Sequence, residues 1–229
     1  MIVINKGVII VKDYGVFDIL GPVMVGPSSS HTAGAAKLGK IASEIAESGF
    51  YKVEFFLHGS FASTYKGHGT DKALVAGILG YSPADEELRD SFSLAKEKGI
   101  EFEFIETEIE YAHPNTAKIV FKYMDRQDFY ITGSSIGGGS IIVTDIDGDE
   151  VEFTGEYPTI ILKYADQKGI ISKISSILAN KDINIATMKV TRDGNNNATM
   201  FCEIDSPIGD DTIDEISSLK EISRTKFIL

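Results

Sequence analysis

The chain has no tryptophan, six prolines and a single cysteine, Cys202. One cysteine excludes an intrachain disulfide and any metal site built on several thiolates of this chain, so no residue here is expected to ligate a metal. Histidine is also scarce: His31, His58, His68 and His113 are the whole supply, and none follows His113. Acid–base chemistry by imidazole is therefore confined to the N-terminal part. Basic residues are outnumbered, 22 Lys and Arg against 34 Asp and Glu, for a net charge of −12. That balance argues against nucleic acid and anionic membrane as partners. No apolar stretch approaches the roughly 20 residues of a membrane-spanning helix. No basic segment precedes an apolar run at the start, so a soluble, cytoplasmic protein is expected. The 43% apolar content is enough to bury a core, and 229 residues leave room for one large domain or two smaller ones.

What is present is concentrated in Val25-Gly26-Pro27-Ser28-Ser29-Ser30-His31-Thr32-Ala33-Gly34. Ala35, Ala36, Leu38, Ile41, Ala42, Ile45 and Ala46 follow at helical spacing, which predicts a helix to about Ser48 with Gly49 as its stop. The polar cluster sits at the start of that helix. Unpaired N–H groups and the positive end of the dipole suit a carboxylate or phosphate there. Ser28, Ser29, Ser30 and Thr32 are candidate binding residues and His31 a candidate acid–base group. The plain alternative is that Ser30 or Thr32 is an N-cap and nothing more.

Upstream, apolar runs at 2–11 and 14–20 read as a strand or two. Downstream, alternation at 53–58 predicts a strand, ending at the polar junction Gly59-Ser60. His68 stands between Gly67 and Gly69, accessible to a ligand or simply in an exposed turn. Asp71 precedes a helical run, and is a ligand group or an N-cap. Residues 83–98 read as one amphipathic helix and 101–110 as a strand with one wet face. His113-Pro114-Asn115-Thr116 is either a site loop or a turn opening the strand at 117–124. A strand at 129–132 reaches Gly133-Ser134-Ser135-Ile136-Gly137-Gly138-Gly139-Ser140, read as a site loop whose glycines admit a ligand to the backbone. A hairpin about Asp147-Gly148 follows. Asp145, Asp147 and Asp149 lack the glycine and glutamate positions of an EF-hand.

Tyr157-Pro158 marks a boundary. Beyond it the pattern is strand (159–164), helix from Ile170, strand (183–191), a turn at Asp193-Gly194, strand (198–204), helix and strand (222–228). This βαββαβ order is a ferredoxin-like unit. The fold class expected is α+β, with domains at 1–155 and 157–229.

Two resemblances follow. The C-terminal unit, with Asp166-x-x-Gly169 at its first strand-to-helix turn, resembles an ACT domain, the amino-acid sensor of many metabolic enzymes. The first 155 residues resemble the β chain of iron–sulfur-dependent bacterial L-serine dehydratase. Gly26-Pro27-Ser28-Ser29-Ser30-His31-Thr32, Gly67-His68-Gly69-Thr70-Asp71, His113-Pro114-Asn115-Thr116 and Ser135-Ile136-Gly137-Gly138-Gly139 match it in order. The resemblance implies an α/β-sandwich-like N-terminal domain and deamination of L-serine to pyruvate and ammonia. It implies a 4Fe-4S cluster acting as Lewis acid on the serine hydroxyl. With only Cys202 here, that cluster belongs to a separate α subunit. His31, His68 and His113 become the catalytic candidates, without a choice of base among them. Ser28, Ser29, Ser30, Thr32, Asp71, Asn115, Ser134, Ser135, Gly137, Gly138 and Gly139 become the substrate-binding candidates. The ACT resemblance implies self-association and an effector pocket at Asp166, Gly169, Ile170 and Asn184. A non-catalytic serine sensor, related to the substrate-binding and ACT domains of phosphoglycerate dehydrogenase, is the alternative.

Overall fold

The computed structural model describes residues 22–192 and 196–228, with the backbone of two short strands, β1 (Ile2–Ile4) and β2 (Gly7–Ile9). These two pair antiparallel, as the first apolar run suggests. The second run, 14–20, and the turn at Asp193-Gly194 lie outside the described residues.

Period-two alternation builds the first sheet. Its strands are β3 (Lys52–His58), β4 (Glu101–Thr107), β5 (Thr116–Lys122), β6 (Phe129–Gly137), β7 (Ser140–Ile146) and β8 (Asp149–Phe153). Their spatial order is β4-β3-β5-β6-β7-β8, with β3 and β4 parallel and the other pairs antiparallel. Val53, Phe55 and Leu57 alternate into the core with Ile119, Phe121, Ile131 and Val143. The intervening residues form ion pairs on the wet face, where Lys52 and Lys122 share Glu54. Such exposed pairs stabilise little; the apolar rows decide the register.

The helix α1 (Gly34–Ile45) lies on the buried face over β6 and β7, and α3 (Thr70–Ile78) packs across it, giving the sandwich-like layers expected. Gly39 and Gly77 meet where they cross. A Cβ on Gly77 would stand 2.9 Å from the Cα of Gly39 and 2.7 Å from the Lys40 nitrogen. That close approach lets Leu38 and Leu74 bury completely. The helix α1 ends at Ile45, three residues short of the expected Ser48, and Ala46 is already extended.

Three expectations change. The strand-ending junction at Gly59-Ser60 opens not a loop but a helix, α2 (Gly59–His68), ending at Gly69 with φ of 72°. Phe61 anchors it to the core with no exposed surface. Tertiary burial therefore overrides a segment rich in Gly, Ser and Thr. The single helix expected over 83–98 is a 3₁₀ turn (Glu86–Asp90) followed by a short helix, α4 (Ser91–Glu97). The glycine loop is largely strand: β6 runs through Ser134 and Ser135 to Gly137, and Gly138 and Gly139 make a tight turn into β7.

The C-terminal unit forms as the pattern predicts: β9 (Thr159–Ala165), α5 (Ile170–Asn180), β10 (Ile185–Arg192), β11 (Asn197–Ile204), α6 (Asp210–Ser217) and β12 (Ile222–Ile228). The sheet order is β10-β11-β9-β12, all antiparallel. Ile160, Leu162, Met200 and Cys202 pack under the helices with Ile170, Ile174 and Ile216. The opposite face meets the first domain. Phe201 stacks on Phe153 at 6.2 Å, and Phe201 and Ile228 join the first domain's core. Around this contact Glu203 accepts from Thr154, Asp149 from Thr199, and Glu47 pairs with Arg224 and Arg126.

Substituting Gly77→Val drives a branched side chain into the backbone of α1. We expect a loss of about 1–3 kcal/mol, the range for overpacking a tight core. Urea denaturation reads it; an unchanged midpoint contradicts the close helix crossing.

Candidate active site

The serine-rich stretch forms one wide turn of π-helix (Ser29–Ala33), in which the Gly34 N–H donates to the Ser29 carbonyl. Such turns are frequent at functional sites. Ser28 is the N-cap, its Oγ accepting from the His31 N–H at 3.2 Å; neither Ser30 nor Thr32 caps this helix start. The turn delivers the His31 ring inward, where it is nearly buried. Its Nε2 lies 3.0 Å from Ser60 Oγ, and its Nδ1 lies 3.1 Å from Ser30 Oγ and 3.5 Å from Ser28 Oγ. A neutral imidazole has one donor and one acceptor, and a hydroxyl serves as either, so both tautomers of His31 are satisfied. Phe61 packs edge-on against the ring, and so does His68 at 4.8 Å between centroids.

Burial first, and then the neighbouring His68, hold the His31 pKa below its ordinary value of 6.5, with a bond to the Ser60 backbone opposing them. His31 is therefore neutral at pH 7 and able to accept a proton. Because its folded pKa is the lower one, the unfolded chain binds the extra proton first, and His31 costs stability as pH falls below 6.5.

Four segments far apart in sequence close into a ring here: the serine-rich turn, Gly59-Ser60, Pro114-Asn115 and Ser135. From His31 the contact passes to Ser60 at the start of α2. Beside it Gly59 lies against Pro114, whose carbonyl accepts from Phe61 N–H; a Cβ on Gly59 would stand 2.6 Å from that oxygen. Asn115 then joins Ser135, by Ser135 N–H to the Asn115 carbonyl at 2.9 Å and Asn115 Nδ2 to the Ser135 carbonyl at 3.4 Å. Ser135 Oγ packs on Gly34, where a Cβ would collide with it, and that returns the ring to the serine-rich turn. Ser135 Oγ and Thr70 Oγ1 are both buried without a hydrogen-bond partner.

The other candidates fall into place around this ring. Thr32 is buried and donates to the His68 carbonyl at 3.2 Å, so it clasps α2 to the serine-rich turn. Ser134 Oγ and Thr116 Oγ1 share a buried bond of 2.6 Å, and Thr116 holds the His113 carbonyl. His113 itself is exposed, its Nδ1 accepting from Asn115 N–H. Asp71 lies in the first turn of α3, with Gly69 rather than Asp71 as the N-cap; it accepts from Lys72 N–H, and burial pushes its pKa up. Gly137, Gly138 and Gly139 have φ of 106°, 62° and 83°, as only glycine readily adopts. Gly138 and Gly139 line a groove with Lys37, not the His31 ring. Sequence reading passed over Ser60 as a site residue; the signal was a hydroxyl directly after a strand-ending glycine.

In the C-terminal unit Asp166 accepts from Arg192 at 2.7 Å, and Gly169, with φ of 96°, leads into α5 at the buried Ile170. Asn184 is not part of that turn within one chain. It precedes β10, whose Ile185 pairs with Ile204, whereas Ala165 pairs with Asn197 at the other end of β11. Cys202 is fully buried beneath the helices and its thiol is pushed up to about 11 by burial. Among the described residues no three His, Cys, Asp or Glu side chains are placed to hold a metal ion. The donors of this chain do not fit an iron–sulfur cluster.

The C-terminal unit matches the ACT domain model over residues 159–221, and residues 15–98 match the model of the serine dehydratase beta chain. The chain is 44% identical over 218 residues to the L-serine dehydratase β chain of Peptoniphilus asaccharolyticus, covering 94% of this chain and 98% of that one. It is 42% identical to the probable L-serine dehydratase β chain of Bacillus subtilis, covering 92% and 96%. The chain belongs to the family of L-serine dehydratase β chains. The D-3-phosphoglycerate dehydrogenase of Bacillus subtilis is 28% identical over 200 residues, 85% of this chain but 37% of that enzyme.

Replacing His68→Asn removes one of the two influences that lower the His31 pKa. NMR titration of the His31 ring should show its pKa rising toward 6.5; no movement would mean the two rings do not interact.

Proposed function

We propose that this chain is the β subunit of an L-serine dehydratase, supplying binding and acid–base groups for deamination of L-serine to pyruvate and ammonia. The observation that carries the reading is the ring of four segments, from the serine-rich turn through Ser60, Asn115 and Ser135, closing on a buried, neutral imidazole. The reaction removes the α-proton and the β-hydroxyl of serine; the resulting enamine tautomerises and is hydrolysed to pyruvate and ammonia. His31 is the group we assign to the α-proton, since its hydroxyl partners can yield to substrate and the exposed His68 can pass the proton to water. The hydroxyls of Ser28 and Ser30 and the N–H groups opening the serine-rich turn suit the substrate carboxylate. Asn115, held by Ser135, and His113 border the same ring. We assign the 4Fe-4S cluster, whose chemistry is Lewis-acid activation of the departing hydroxyl, to a separate α subunit.

In this reading the ACT domain self-associates, and its turn at Asp166, Gly169 and Ile170 takes an amino-acid effector. With one sheet face against the first domain, the outer strand β10 is the edge we assign to self-association. The similarity to phosphoglycerate dehydrogenase favours a second reading, a serine sensor without chemistry.

The isolated chain should form no pyruvate from L-serine, and a cluster-loaded α chain should restore turnover. In that complex His31→Asn should lower kcat by about 100-fold or more, with assembly intact. Turnover by the lone chain would contradict the two-chain reading. Full activity of the complexed His31→Asn variant would favour the sensor.

A further inference from the structure

One histidine has no part in the ring around His31. His58 ends β3, two residues before Ser60, and stands at the N-cap position of α2 without capping it. Its half-buried side chain shares the wet face of the sheet with Glu54 and Phe56. His58 Nδ1 accepts from the Ile109 N–H at 3.1 Å. The partners of His31 are hydroxyls, which suit either tautomer, but a backbone N–H can only donate. His58 Nδ1 is therefore unprotonated, and the neutral ring carries its proton on Nε2.

That bond tethers a loop. Ile109 follows β4 and opens the segment that ends in His113, Pro114 and Asn115. Among the described residues, no other hydrogen bond joins residues 109–112 to the rest of the chain; the Ala112 N–H turns back to the Ile109 carbonyl. Within that turn Tyr111, fully exposed, has φ of 59°, a left-handed conformation that an L residue keeps only where its surroundings hold it. At the far end Pro114 lies against Gly59, and Asn115 against Ser135. The loop is thus hung between His58 and the His31 ring.

A proton on Nδ1 reverses the bond: two donors then face each other, and the Ile109 N–H loses its acceptor. Another acceptor is at hand, since Glu108 Oε2 lies 3.5 Å from Nδ1. The other groups about the ring do not compete. Thr107, opposite His58 on β4, is neutral, and the first turn of α2, Gly59 to Ala62, has no ionisable side chain. Lys118 on β5, opposite Phe56, holds its Nζ 3.7 Å from the centroid of the Tyr130 ring. Glu110 of the loop is exposed.

We propose that His58 is a positioning residue: its neutral ring latches the loop bearing His113 and Asn115, and protonation of Nδ1 moves the ring's bond to Glu108 and frees the loop. The functional half of this proposal rests on the reading of the His31 ring as the active site. It gives that site a second acid limit, which acts through position rather than proton transfer.

NMR of the full-length chain, labelled at histidine and isoleucine, tests the latch without reference to activity. At alkaline pH the His58 ring should carry its proton on Nε2. As the ring titrates, the Ile109 amide should shift with the His58 midpoint and not with that of His113, and its exchange protection should fall by about tenfold or more, the scale of one lost hydrogen bond. His58→Asn sets an amide oxygen where Nδ1 stands and should hold the Ile109 amide at every pH, whereas His58→Leu should release it at every pH. In the complex with the α chain at alkaline pH, His58→Leu should lower kcat/KM for L-serine by about tenfold, and His58→Asn should recover it to within about threefold. The acid limb of kcat/KM should be shallower in His58→Asn than in the wild type. An Ile109 amide that ignores the His58 titration, or that stays protected in His58→Leu, would overturn the latch. Wild-type kcat/KM in His58→Leu would overturn the positioning role. A wild-type complex without turnover would instead count against the proposed function, and the amide titration still decides the latch.

Discussion

The N-terminal domain depends on one constraint: an imidazole held in the protein by hydroxyls on both of its nitrogens. Ser60 and Ser30 hold the His31 ring from opposite sides, and Phe61 and His68 close over its edges. Burial then holds the ring's pKa below its ordinary value, so it rests neutral at neutral pH, and its hydrogen bonds on both nitrogens fix its orientation. For this to hold, α2 must start where β3 ends, and α1 must start three residues after the histidine. The glycines serve that arrangement. Gly59 lets α2 lie on Pro114, and Gly34 lets α1 lie on Ser135.

The sheet layers carry this geometry. Strands β5 and β6 hold Thr116 and Ser134 in register, and their buried hydroxyl pair fixes the turn bearing His113 and Asn115. The Gly39–Gly77 crossing sets how closely α1 approaches α3, and with it where the serine-rich turn meets Thr70 and His68. The ACT domain is built into the same body. Its sheet face lends Phe201 and Ile228 to the first domain's core, so the ACT sheet and the first domain pack against each other.

Much of this was legible in the residues. Alternation at Val53, Phe55 and Leu57, the periodic apolar face of α1 and the βαββαβ pattern named most elements, because burial of one face is a local sequence signal. The histidine and hydroxyl motifs were visible too, although their closure into a ring was not, since hydrogen bonds between residues 31 and 60 or 115 and 135 leave no periodicity. The helix from Gly59 to His68 was missed because its propensity is poor and only Phe61 declares its burial. The sequence suggests Gly137, Gly138 and Gly139 as a substrate-binding loop, whereas their φ angles serve a tight hairpin and Gly138 and Gly139 line a groove apart from the His31 ring. Asn184, at the start of the next strand, is the side chain the sequence suggests beside Gly169, but the antiparallel register of β10 and β11 carries it to the other end of the sheet.

The central claim is that the four segments of the ring form one functional unit around His31. A double-mutant cycle tests it directly, with Ser60→Ala and Asn115→Ala measured singly and together as kcat/KM for L-serine in the complex with the α chain. Residues that act as a unit are strongly non-additive. The account predicts that the double variant loses little more than the worse single variant. Losses in the double variant equal to the product of the two single losses would contradict it.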